Sequence, residues 1–440
     1  MDVSRKAGIV LLALTGALFA AAANAQTART AGAGTPIPKD IDPESGNRLP
    51  LPRREDVDDD AKKIFDDMTR RSQRPLPRLY DPKLAKPMSE AAYYLKNQTG
   101  LPSRLLEIAV LTTARELDCQ FEWTQWETDG RDPADPRHIE ASIIDLIKYN
   151  KPANGLGEKE TAVIRLGREM LGQKMVSAAT FADVHRLFGP RLTVDLVNVM
   201  TGYAACTTEM TAFDQQLREG QQPLLPAGRT HPWKPVRPST VAPPQGPLPA
   251  DVYADSRNRL PLPKRENMDA DGKAAFDELA RAGADTTSVR LYDPKLAAPS
   301  GLAHHYVTHS TGLPDRLVAI AVLVTARERD SQYQWTQWET LARNPKDAHH
   351  LEPAIIDLIK YDKPAAGLGE KETAIINLVR AMFREEKVPS ATFAEVLRLF
   401  GRRGTVHVVE LVTLSSAEAA QLAAFGQQLP EGQTPLLPLR

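Results

Sequence analysis

Apolar residues along this chain recur at helical spacing, and no convincing run alternates at the period of two that a half-buried strand requires. The stretch 104–118 (RLLEIAVLTTARELD) is apolar on most faces, which predicts a central, buried helix with Pro102 at a start position that tolerates it. Ile139, Ile143, Ile144, Leu146 and Ile147 form one stripe of a helix running from Ile139 to Tyr149. After the break Gly155-Leu156-Gly157, a helix is expected from Glu158 to Leu171. Ser177 opens a further helix that stops at Gly189, and Leu192 to Leu217, interrupted only by Gly202, reads as a long closing helix. The pattern predicts an all-α fold.

The pattern then repeats. Leu79-Tyr80-Asp81-Pro82-Lys83-Leu84 returns as Leu291-Tyr292-Asp293-Pro294-Lys295-Leu296, and Trp123-Thr124-Gln125-Trp126-Glu127 returns as Trp335-Thr336-Gln337-Trp338-Glu339, both 212 positions on. Near the start, Asn47-Arg48-Leu49-Pro50 returns as Asn258-Arg259-Leu260-Pro261, at an offset of 211. A period this long means duplication of a whole domain, not a solenoid. The first copy is placed at 47–220 and the second at 251–440, joined by a Pro-rich connector, 221–250, that reads as extended and coreless.

Composition alters this picture mainly at the N-terminus. Arg5 and Lys6 precede an apolar stretch, Ala7–Ala22, and the small-x-small site Ala23-Asn24-Ala25. This predicts a secretory signal peptide over 1–25, cleavage after Ala25 and a periplasmic or secreted protein; an uncleaved anchor is the alternative. Residues 26–46 read as a disordered lead-in. The chain carries 55 Lys+Arg against 56 Asp+Glu, a balance that points to neither nucleic acid nor an acidic tail. No later segment is apolar enough to span a bilayer, so no membrane association is expected after cleavage.

In the first copy, Glu107 on the buried helix is followed twelve positions on by Cys119-x-x-Glu122-Trp123-x-x-Trp126. This resembles the carboxymuconolactone decarboxylase family, which includes the AhpD-like alkylhydroperoxidases. The redox members carry Glu, then C-x-x-C-x-x-x-H, and a branch without the cysteine pair carries a Y-E-W-x-x-H version. Glu107 matches the family Glu and Cys119 the first Cys; Glu122 stands for the second Cys and Trp126 for the His. In the second copy the same positions are Ala319, Ser331, Gln334 and Trp338, so if one half works it is the first. The resemblance implies two tandem AhpD-like helical domains packed as a pseudo-twofold pair. It implies no cofactor, and allows a homo-oligomer.

Three functions stay open. In a decarboxylase-like protein acting on a small unsaturated acid or lactone, Glu107 and Glu122 would serve as acid and base, because a carboxyl kept neutral by burial can deliver a proton to carbon. Trp123, Trp126 and Arg115 would then bind the organic acid. Glu107 could instead pair with Arg104 or Arg115, Glu122 could form an ordinary ion pair, and Arg115 could belong to a structural network with Glu116. In the second reading the chain is a non-catalytic binding or scaffold protein with degenerate sites. In the third it is a thiol-dependent antioxidant using Cys119, although the nearby resolving cysteine and the matching histidine are missing. Cys119 and Cys206, the only cysteines, could also form a structural disulfide or be two buried thiols. The Trp pairs recur in both copies, which favours packing. His305 and His309 lie one helical turn apart with no obvious third ligand, beside His304, so no metal is assigned.

Overall fold

The computed structural model describes residues 38–71, 76–228, 230–231 and 246–438. The expected signal peptide, residues 26–37 of the expected lead-in and much of the expected connector lie outside this set. Among the described residues the chain is all-α, with fourteen α-helices and no β-strand.

The helices form two matching series. In the first copy they are α1 (Lys62–Arg71), α2 (Pro82–Asn97), α3 (Ser103–Glu116), α4 (Gln120–Arg131), α5 (Ala141–Lys148), α6 (Glu158–Gly167) and α7 (Ala178–Phe213). In the second they are α8 (Ala270–Ala282), α9 (Pro294–His309), α10 (Asp315–Glu328), α11 (Gln332–Ala342), α12 (Pro353–Lys360), α13 (Glu370–Arg384) and α14 (Ser390–Ala424). Local chemistry explains the shared starts. Asp81 caps α2 by accepting from the Lys83 and Leu84 backbone N–H groups, with Pro82 at the first helical position; Asp293, accepting from the Lys295 N–H, and Pro294 open α9. The expected central helix is α3, whose run from Leu105 to Ala114 is buried, and it packs on α4, α5, α6 and α7.

Gly189 breaks the helix that opens at Ser177, as expected, but other boundaries differ. Gly189 takes φ 71°, kinking the chain without a loop, and α7 continues through Gly202 to Phe213, short of Leu217. Gly401 kinks α14 in the same way, at φ 66°. The copies are also longer than the proline pattern suggested. Ile41 and Ser45 in the expected lead-in are buried, and Arg48 binds Asp40 at 2.9 Å. In the expected connector, Leu225 is buried, the Leu224 N–H bonds Thr124, and Thr230 and His231 bond Asp118 and Glu116. Leu436 and Leu437 repeat the Leu224-Leu225 arrangement in the second copy, with the Leu436 N–H on Thr336. Proline there ends helices but still lets leucines dock, and a docked Pro-rich strap has a helix-free sequence signature like that of a linker.

The copies pack together through equivalent helices, α2 on α9 and α7 on α14. Tyr94 and Arg191 of the first copy bind Asp293 of the second, and Tyr306 and His407 of the second bind Asp81 of the first. Leu260, Phe425 and Leu296 join the first copy's core, while Leu49, Phe213 and Leu84 join the second's. Each core is therefore completed by the other copy, and every apolar side chain so placed leaves water.

Candidate active site

α3 carries Glu107 into the middle of the first copy's core, and the first turn of α4 brings Glu122 and, four residues on, Trp126 to the same region. Glu107 is fully buried, and neither of its carboxyl oxygens has a hydrogen-bond partner. Arg104 pairs with Glu140 and Glu160, and Arg115 pairs with Asp118, so neither neutralises Glu107. Burial pushes the Glu107 carboxyl up to about 9, with Arg137 opposing and Asp129 reinforcing the rise. Gly130 makes room for this side chain: a Cβ there would stand 2.8 Å from Glu107 Oε1.

Glu122 is also buried, and that pushes its carboxyl up to about 7, offset in part by the Trp126 indole and the Lys96 ammonium. Both carboxyls therefore hold protons far above the range of free carboxylates. Lys96, from the end of α2, feels the charge of both, and its own pKa is lowered by burial and by Arg137. Among the described residues no carboxylate pairs with Lys96. The Lys96 ammonium and the Arg137 guanidinium lie 5.3 and 4.9 Å from the centre of the Trp126 ring, within cation–π range. Arg137 is fixed by Asp129 at 2.7 Å and Asp135 at 2.9 Å. Tyr203 of α7 meets Trp126 edge-on at 5.2 Å, and its hydroxyl is held well above its ordinary value by burial, then by Glu122.

Cys119, at the N-cap of α4, is a free thiol, and so is Cys206 on α7. Burial pushes each up to about 12. A reactive thiol needs the opposite environment, one that favours thiolate. Cys206 is influenced by Arg78, whose guanidinium binds Glu209 of its own copy and stands 3.5 Å from Glu410 of the second.

Two of the expected binding residues lie elsewhere. Trp123 is wholly buried and its indole donates to Glu127, which also takes Arg131 at 2.8 Å and Lys148 at 2.7 Å. Trp335, Glu339, Arg343 and Lys360 reproduce this arrangement in the second copy, so it belongs to the packing of both. Arg115 stays with Asp118 and beside the strap residue Thr230.

Sequence reasoning missed Lys96, Arg137 and Tyr203. A signal for two of them was present in the repeat: Lys96 becomes Thr308 and Tyr203 becomes Ser415 in the second copy, alongside Glu107→Ala319 and Glu122→Gln334. Trp126 persists as Trp338, with His349 at its edge in place of Arg137. The second copy's equivalent region is closed by its own contacts: Gln334 donates to Glu418, and His304 lies 3.4 Å from it. His305 and His309 stack on each other at 4.6 Å, and no group of three or more His, Cys, Asp or Glu suited to a metal occurs among the described residues. Two surface cavities, of about 430 and 280 Å³, are lined by other residues. Comparison of the chain with protein-family models, with curated proteins and with solved structures gives no match.

Proposed function

We propose that the first copy is an acid–base site acting on a small unsaturated acid or lactone, in the manner of a carboxymuconolactone decarboxylase. The observation that carries this is the two buried carboxyls, Glu107 raised to about 9 and Glu122 to about 7, both within the electrostatic reach of Lys96. Stability alone does not account for a fully buried carboxyl with no partner. Perturbed carboxyls beside cations and an aromatic wall are the arrangement that proton transfer to carbon uses.

In this reading the substrate carboxylate meets Lys96, with its conjugated body against Trp126 and Tyr203. As the bond to the carboxylate breaks, carbon dioxide leaves and the electron pair passes into the unsaturated framework. Protonated Glu107 gives its proton to the resulting carbanionic carbon. Glu122, poised near 7, returns a proton from water. Lys96 and Tyr203 are half-buried, so in this reading a substrate enters past their side chains. The buried, proton-bearing thiol of Cys119 lends no support to a peroxidase.

The same reading has the copies paired about a pseudo-twofold axis after export. The reciprocal Asp81 and Asp293 contacts and the matched helix series support the pairing, while export rests on the N-terminal sequence. No helix among the described residues is long and apolar enough to cross a membrane. One observation favours a binding role without turnover: the carboxyl pair is closed over in this structure. The deciding experiment follows small unsaturated lactone acids by NMR in D2O, reading loss of the carboxyl carbon and deuterium gained at carbon. Turnover that Glu107→Gln and Glu122→Gln each abolish supports the proposal, and turnover that survives both sinks it.

A further inference from the structure

The cavity of about 430 Å³ lies in the second copy, between the loop preceding α10 and the kinked part of α14, and its size suits a small molecule. Its walls carry Lys371, Arg403 and His407 together with Leu399 and Phe400. The first copy is an internal control for this place. Of the ten lining positions, eight hold the same residue 212 positions earlier, including Lys159, Leu187, Phe188 and Arg191. Two differ: Gly404 replaces Leu192, and His407 replaces Asp195.

Both changes favour a ligand. Leu192 packs against the first copy's core, so its loss at Gly404 opens space. The backbone does not call for glycine there, since Gly404 has no positive φ. A Cβ would stand 3.0 Å from the Phe400 Cβ, yet the first copy fits a whole leucine beside the equivalent Phe188. Glycine in a helix costs about 1 kcal/mol relative to alanine, so the opening carries a cost with no packing return. His407 in turn puts a nitrogen base where the first copy has a carboxyl.

Charge narrows the class. His407 lies 2.8 Å from Asp81, and Arg403 is shared between Asp81 and Asp58. Lys371 lies over the Phe400 ring at 5.4 Å, and among the described residues no carboxylate pairs with it. One uncompensated cation beside apolar walls suits a single negative charge on an apolar body. We infer that this cavity binds a small monocarboxylate with an apolar body, at a site that the first copy lacks and that is separate from the Glu107–Glu122 cluster.

Calorimetric titration of the full chain with benzoate tests this, with inorganic phosphate and acetate as comparisons. The expected result is saturable one-to-one binding of benzoate, weakened roughly tenfold or more by Lys371→Ala, abolished by Gly404→Leu and unchanged by Glu107→Gln. Lys371 is exposed, so its variant reports even if Gly404→Leu fails to fold. Binding that ignores Lys371→Ala, phosphate binding tighter than benzoate, or no saturable binding would each overturn the inference. Benzoate binding lost in Glu107→Gln but kept in Lys371→Ala would place the carboxylate in the first copy instead.

Discussion

Replacing Glu107 by glutamine should make the protein more stable, by an amount that depends on pH. The carboxyl has an ordinary value of 4.5 in the unfolded chain and is raised to about 9 by burial in the folded one. Below 4.5 both states hold the proton and the group costs nothing. Between 4.5 and about 9 the unfolded chain ionises while the folded chain does not, so stability falls as pH rises; above that interval the slope vanishes. At about 1.4 kcal/mol per pH unit, the interval up to pH 7 amounts to about 3 kcal/mol. Glutamine has nearly the same shape and no proton to lose, so it removes this term. Urea unfolding followed by tryptophan fluorescence, on both proteins at pH 5 and pH 8, isolates Glu107 from every other titrating group. The gap between them should widen by about 4 kcal/mol in favour of the variant over those three pH units. Parallel curves would mean that Glu107 ionises normally in the folded chain, and the acid–base reading would lose its foundation. If the variant gains stability and loses turnover together, the carboxyl is retained for chemistry at a structural cost.

Other outcomes can be checked independently. Gly130→Ala should push the Glu107 carboxyl aside and lower turnover by roughly tenfold or more, since misplacing a reacting group by about 1 Å costs that much; circular dichroism should show an unchanged fold. Cys119, buried, and Cys206, half-buried, are both pushed up to about 12, so both should react with a thiol reagent at pH 8 far faster after denaturant is added; fast labelling of Cys119 in the native chain would contradict its burial. Trp123→Phe and Trp335→Phe should each cost about 1–3 kcal/mol by leaving Glu127 or Glu339 short of a donor, with similar losses in thermal melts. Asp195→Asn should stabilise the chain increasingly as pH rises, because burial and then Asp293 raise the Asp195 carboxyl; pH-dependent melting would show it.

The parts of this fold that the sequence reveals are those with local causes. The apolar run of α3, the Asp-Pro starts of α2 and α9 and the glycine kinks each depend on residues close in the chain. The carboxyls could be found for a similar reason, since an acid inside an apolar helix is conspicuous. Lys96, Arg137 and Tyr203 sit on a helix end, a loop and a distant helix, and tertiary packing alone gathers them around Trp126. Their trace in the sequence is comparative: positions where one copy is ionisable or aromatic and its twin is not. The Pro-rich straps misled for the opposite reason, because Leu224 and Leu225 have no helical period to announce their burial.

The contacts at Asp81 and Asp293 have a consequence for how this molecule could change over time. Two separate identical chains meeting at this junction would present the same side chain at both equivalent points, and any substitution would be felt twice. Within one chain the two ends are free to drift apart, as they have with Asp195 on one side and His407 on the other. Covalent linkage also keeps the halves together at any dilution, so neither has to preserve affinity for a free partner. Asymmetry that would weaken a dimer can therefore accumulate here, leaving one half to keep its carboxyls while the other takes on different work.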